Sequence, residues 1–200
     1  MATKRIFLLS PANCGGKRAT LVMRPEASFD LATRLRSTAG APLGEVFAFL
    51  SGLYFRGKLT YAERFAAPPE GVPRALVITS SRGLLSTGTA IGPADLRDFA
   101  GTPISLAEPR YHRPLLDDLG RLASEAPDSE FVLLGSVASA KYVDPLTRIL
   151  GERLLFPPVF AGMGDMQRGS MLLRAAAAGE ELQYRPVQGA VLSRATARRS

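Results

Sequence analysis

Apolar residues follow two rhythms along this chain. Unbroken runs that stop at small polar residues predict strands: KRIFLLS (4–10), ALVITSS (75–81) and DSEFVLLGS (128–136). An uninterrupted apolar centre suits a sheet covered on both faces. Apolar residues recurring every three or four positions predict the helices. Over 25–36, Pro25 fits a first-turn position and Phe29, Leu31, Ala32 and Leu35 form the buried stripe. LGEVFAFLSGLYF (43–55) reads as a helix through Val46, Phe47, Leu50, Leu53 and Tyr54, and LTYAERFA (59–66) as another short one. ADLRDF (94–99) predicts a short helix, and 114–126 a longer one with Leu115, Leu116, Leu119 and Leu122 inside. VASAKYVDPLTRILGE (137–152) predicts a helix bent or restarted at Asp144-Pro145. The run 162–180 predicts another, with Asp165 as N-cap and Gly179 as stop. ELQYRPV (181–187) ends the series as a strand.

Strands alternating with helices predict an α/β fold: three layers, a mostly parallel central sheet and helices on both faces. The 200 residues suit one α/β domain spanning 1–200, with 193–200 as a flexible basic tail. In such sheets ligands sit beyond the carboxyl ends of the strands, so the strand exits are where chemistry is expected.

Composition removes several classes. Cys14 is the only cysteine and His112 the only histidine, which excludes an internal disulfide and a cysteine-based zinc site. No metal and no cofactor is expected. A Ser-His-Asp mechanism would need His112, which lies in EPRYHRP with no nucleophile motif beside it. There is no run of about 18 apolar residues, so no membrane partner is expected. The start MATKRIFLLS lacks the long apolar stretch of a secretory signal, which makes the cytoplasm the expected compartment. The net charge of +7 concentrates at the ends: residues 1–24 carry +5 and residues 182–200 carry +4, both without an acidic residue. If those ends meet on one face, they make a patch for phosphates or nucleic acid.

Three exits share one chemistry: LLSPANCGGKR, VITSSRGLLSTG and LLGSVASAKY. With parallel strands, Ser10, Asn13, Ser80, Ser81, Arg82, Ser136, Ser139 and Lys141 share an edge with Gly15, Gly16, Lys17 and Arg18. Glycine-loop amides form anion nests, and hydroxyls and amides read sugar or base edges. The same residue types also make ordinary turns. CGGKR is not GxxxxGK[ST], and the GMG of AGMGDMQRG is not GxGxxG after a strand, so ATP hydrolysis and dinucleotide binding are not indicated. Cys14 is a candidate nucleophile if Lys17 or Arg18 lowers its pKa, and otherwise a small apolar plug. Asp165 is a candidate acid or base beside Arg168, and otherwise a helix cap. Tyr54, Phe55, Tyr61, Tyr111 and Tyr142 lie near basic residues and would stack on bases if exposed.

LLSPANCGGKR, with FLSGLYFRGKL (49–59), resembles the peroxide-stress YaaA-like group, whose members open on a strand and an SPAK-type loop and carry an LSGLYG-type segment. LLSPANCGGKR with ALVITSSRGLL also resembles an archaeosine-synthase domain of enzymes that modify a deazaguanine base in tRNA. The matching positions are Ser10, Pro11, Cys14, Lys17, Ser51, Gly52, Leu53, Tyr54, Ser80, Gly83 and Leu84. Asn13-Cys14-Gly15 interrupts the SPAK pattern, and SSRGLL stands where that domain has TSPLGL. The resemblance implies an α/β domain tied to nucleic-acid or nucleobase chemistry.

The function expected from this reading is binding of a nucleic acid or a phosphorylated nucleoside-like small molecule across the exits. Lys17, Arg18, Arg82, Lys141 and Arg168 would hold phosphates, and Asn13, Ser80, Ser136 and Asp165 would contact sugar or base. The enzyme alternative is a transferase or glycosidic-bond-acting enzyme on a nucleobase, built on converging Cys14, Lys17 and Asp165. A third alternative is a protein-interaction module with a protein partner seated on FPPVF (156–160).

Overall fold

The computed structural model describes residues 3–188. Four parallel strands form the centre: β1 (Arg5–Leu9), β3 (Ala75–Ile78), β6 (Glu130–Leu134) and β7 (Leu154–Phe156). Two short antiparallel strands close the edges, β4 (Leu84–Ser86) on β3 and β8 (Arg185–Pro186) on β7, giving the order β4-β3-β1-β6-β7-β8. A separate two-residue pairing joins β2 (Ala41–Pro42) to β5 (Ala90–Ile91). The α/β, three-layer expectation therefore holds.

The layers follow from the alternation of β1. Phe7 and Leu9 pack into the core under α1 (Lys17–Met23), α2 (Asp30–Arg36), α3 (Leu43–Ser51), α4 (Leu53–Phe65), α5 (Pro93–Gly101) and α8 (Asp165–Ala178). Ile6 and Leu8 face the other core, under α6 (Pro109–Glu125) and α7 (Ala140–Leu150). Both clusters are fully covered, which is why the strands read as continuous apolar runs.

Several element boundaries differ from the sequence reading. Of the expected helix 25–36 only α2, from Asp30, is helical; α1, over 17–23, was not foreseen and ends ahead of Pro25, which holds Arg24 extended at ψ 134°. The expected helix 43–55 breaks at Gly52, whose φ of +62° suits glycine, and α4 then runs without interruption through FRGKLTYAERF. α6 begins at Pro109 rather than Pro114, with the Glu108 carboxylate accepting from Arg110 N. α7 runs through Pro145 with no restart at Asp144. Gly164, not Asp165, is the N-cap of α8; its N–H donates to Gln167 Oε1 at 3.1 Å, and Asp165 is the first helical residue. β7 and β4 were not foreseen, being only three residues each. The expected tail 193–200, with Arg194, Arg198 and Arg199, lies outside the described residues.

The chain leaves β1 toward the α1–α4 face and β6 toward the α7 face, so the connections diverge between these adjacent strands. That divergence is the topological switch point at which open α/β sheets bind ligands.

Candidate functional site

The parallel strands bring the exits of β1, β3 and β6 to one edge, as expected. A fourth exit joins them: β7 ends at Phe156, and Pro157 and the 3-10 turn Pro158–Phe160 lead into α8 with Asp165 and Arg168 in its first turns.

The β1 exit folds back on itself. Asn13 Oδ1 accepts from Gly15 N at 2.9 Å, and the chain enters α1 at Lys17. Between this loop and the start of the β3 exit is a cavity of about 190 Å³. Ala12, Phe47, Phe99 and Ile104 form apolar walls, and Asn13, Cys14, Ser80 and Thr102 add polar atoms. Ser80 Oγ donates to Phe99 O at 2.8 Å and Thr102 Oγ1 to Asp98 O at 2.9 Å, so hydrogen bonds anchor the α5 wall. Cys14 is buried, with Sγ 3.6 Å from Ala12 O, and burial pushes its thiol up to about 12. That shift is opposite in direction to the one a Lys17- or Arg18-activated thiolate would need.

Beside this cavity, at the switch point, lies a residue the sequence reading passed over. Lys58 on α4 is 1 % exposed. Its Nζ donates to Ser10 O at 2.6 Å and to Ser10 Oγ at 3.0 Å, and lies over the rings of Tyr54 (4.5 Å) and Phe55 (4.8 Å). Ser10 in turn donates through N and Oγ to Leu134 O, at 3.2 and 3.3 Å, tying the ends of β1 and β6 together. Lys58 makes no salt bridge among the described residues. Burial lowers its ammonium pKa to about 7, with Asp165 opposing the shift and Arg168 adding to it. α4 reaches this depth because it crosses α8 at two glycines: a Cβ on Gly57 would lie 2.7 Å from Gly169 O, and one on Gly169 2.8 Å from Leu53 O. On α8, Arg168 donates to Phe160 O through Nε and Nη2, and its Nη1 stands 3.8 Å from Asp165 Oδ1.

The remaining expected site residues divide. Arg18 Nη1 donates to Phe49 O at 3.0 Å, Arg82 pairs with Asp95 at 2.6 Å, and Ser81 Oγ donates to Asp98 Oδ2. The RGLL part of the β3 exit is a hairpin into β4, not an open loop, with Thr79 N donating to Gly83 O at 2.8 Å. Ser136 Oγ accepts from Ala138 N, and Lys141 Nζ lies 5.2 Å over the Tyr142 ring. Lys17 is exposed, and neither it nor Lys141 enters an ion pair among the described residues. Lys17 and Asp165 do not line the cavity that Cys14 lines.

Tyr54, Phe55, Tyr61, Tyr111 and Tyr142 are all buried and present no stacking surface. Phe156 and Phe160 are also core residues, 6 % and 3 % exposed, so FPPVF offers no broad apolar face. The amino-terminal charges are split: Lys17 and Arg18 follow the β1 exit, whereas Arg5 lies at the opposite end of β1, paired with Glu130 and Glu181. Among the described residues no helix is long and apolar enough to cross a membrane. Comparison with known proteins finds no matching family model, no matching curated protein and no matching solved structure.

Proposed function

We propose that this chain binds a nucleotide-like small molecule at the exits of β1 and β3, with a flat heteroaromatic ring in the cavity beside Cys14. The observation that carries the reading is that cavity: about 190 Å³, apolar-walled, with Asn13, Ser80 and Thr102 on its lining. A dry cavity of about 150 Å³ accepts one benzene ring, so this one suits a ring system of nucleobase size. Few oriented polar groups on apolar walls is the usual makeup of a small-molecule site. The resemblance of SPANCGGKR and LSGLYFRGK to proteins of nucleic-acid and nucleobase chemistry points the same way.

A free nucleotide is favoured over a polymer by the state of the rim cations. Arg18 and Arg82 are committed to Phe49 O and Asp95, leaving Lys17 and Lys141 rather than a continuous basic track. The aromatic residues that would stack on successive bases are buried.

Calorimetric titration with nucleosides, nucleoside monophosphates, and matched single-stranded DNA, duplex DNA and RNA tests this, at about 50 and 200 mM salt. The expected result is stoichiometric binding of a nucleoside or nucleotide that Ala100→Phe weakens, Ala100 of α5 also lining the cavity, and that K17A/R18A barely changes. Binding confined to polymers, steep in salt and lost in K17A/R18A, would move the site to a charged outer surface. No binding to any of these ligands would contradict the reading outright.

A further inference from the structure

The crossing of α4 and α8 buries more hydrogen-bond donors than acceptors. The Tyr54 hydroxyl is buried without a hydrogen-bond partner, on a side chain 7 % exposed. Burial raises the Tyr54 pKa and the nearby Arg168 guanidinium opposes that shift, but a guanidinium only donates and cannot take up the Tyr54 proton. Lys58 Nζ uses two donors on Ser10 and turns toward two aromatic rings rather than a carboxylate. Arg168 Nη1 reaches Asp165 only at 3.8 Å, beyond hydrogen-bond length. Asp165 is itself 73 % exposed and is the one carboxylate paired with Arg168 among the described residues. An orphaned buried donor is costly, and one that persists calls for an explanation such as a missing ligand atom.

Position strengthens the case. Lys58 grips Ser10, and Ser10 bonds to Leu134, at the point where the connections of β1 and β6 diverge to opposite faces. The carbonyl that Lys58 holds is joined directly to Pro11, which lines the ring cavity.

We propose that Tyr54, Lys58 and Arg168 form an anion seat for a phosphate group of the ligand whose ring occupies the adjoining cavity. The location of the ring rests on the reading above; the donor excess at the seat does not. The Tyr54 hydroxyl donates to a phosphate oxygen, and Arg168 turns its Nη1 from the Asp165 carboxylate to the same group. Lys58 remains on Ser10, and the incoming anion favours the charged form that burial disfavours. Asp165 acts as a stand-in anion that the ligand displaces.

The test compares a nucleoside, its 5′-monophosphate and inorganic pyrophosphate by calorimetry on wild type, Tyr54→Phe and Asp165→Asn. Wild type is expected to prefer the monophosphate over the nucleoside by roughly tenfold or more, the scale of one charge-assisted hydrogen bond. Tyr54→Phe removes only a hydroxyl whose proton has no acceptor, so it keeps nucleoside affinity and thermal stability while losing that preference. Asp165→Asn removes the competing carboxylate and widens the preference. If Tyr54→Phe and Asp165→Asn both leave the preference unchanged, the seat is wrong and the ring cavity stands. If neither nucleoside nor monophosphate binds, the ring cavity is wrong. In that case pyrophosphate binding that Tyr54→Phe abolishes supports the seat, and its absence overturns the seat as well.

Discussion

Lys58 is the residue whose surroundings most constrain what this site does. A lysine buried without a carboxylate is disfavoured in its charged form. Its pKa in the folded chain, about 7, lies below the ordinary 10.5. Between those values the unfolded chain binds more protons than the folded one, so stability rises with pH across that window. Wild type is expected to gain urea stability from about pH 7 toward pH 10 relative to Lys58→Met, which lacks the titrating group. Parallel profiles for the two proteins would mean that Lys58 is not desolvated as described. Cys14 is a second residue with a definite expectation. A thiol pushed up to about 12 has little thiolate at pH 8. Native protein should react with iodoacetamide at least roughly tenfold more slowly than urea-unfolded protein; equal rates would show an open thiol. Cys14, Asn13 and Ser80 were legible in the sequence because small polar residues after an apolar run mark a strand exit. Lys58 was not, because FRGKL fell between two predicted helices and nothing local signals that a lysine is enclosed.

Among the elements, the α4–α8 pair decides whether the site exists at all. Gly57 and Gly169 let the helices approach until backbone faces backbone, which brings Tyr54, Lys58 and Arg168 together. Gly169→Ala places a methyl 2.8 Å from Leu53 O and must push the helices apart. The expected cost is about 1–3 kcal/mol in urea unfolding, with any ligand affinity falling alongside; an unchanged midpoint would contradict the close crossing. Gly179 ends α8 in the left-handed conformation, as its position after an alanine run indicated. By contrast, the break at Gly52 was hidden because Leu50, Leu53 and Tyr54 keep helical spacing across it. β4 and β7 were missed because LLS and LLF are too short to show a period, and partner strands rather than local propensity fix them.

At the scale of the molecule, the three apolar runs and the helices between them were enough to specify three layers and a shared carboxyl edge. Strand order was not available, because it depends on how crossovers place β1 between β3 and β6. That order sets the switch point at Ser10 and Leu134 and, through β7, delivers Asp165 and Arg168 to the rim from 155 residues downstream of Ser10 or more. It also separates Lys17 from Arg5, at opposite ends of β1, so the amino-terminal charge forms no single patch. With Arg18 and Arg82 committed locally, binding of a small anionic ligand should lose affinity only modestly between about 50 and 200 mM salt, unlike the 10³-fold or greater loss of a protein with six to ten phosphate contacts. A loss of that size would indicate an extended polyanion surface instead.

The most direct test of the cavity is amide chemical-shift mapping with nucleoside monophosphates added to the full chain. The account predicts saturable shifts centred on Asn13, Cys14, Gly15, Ser80, Phe99 and Thr102, which are among the residues that line the cavity. Shifts centred on another face, or none at all, would contradict it.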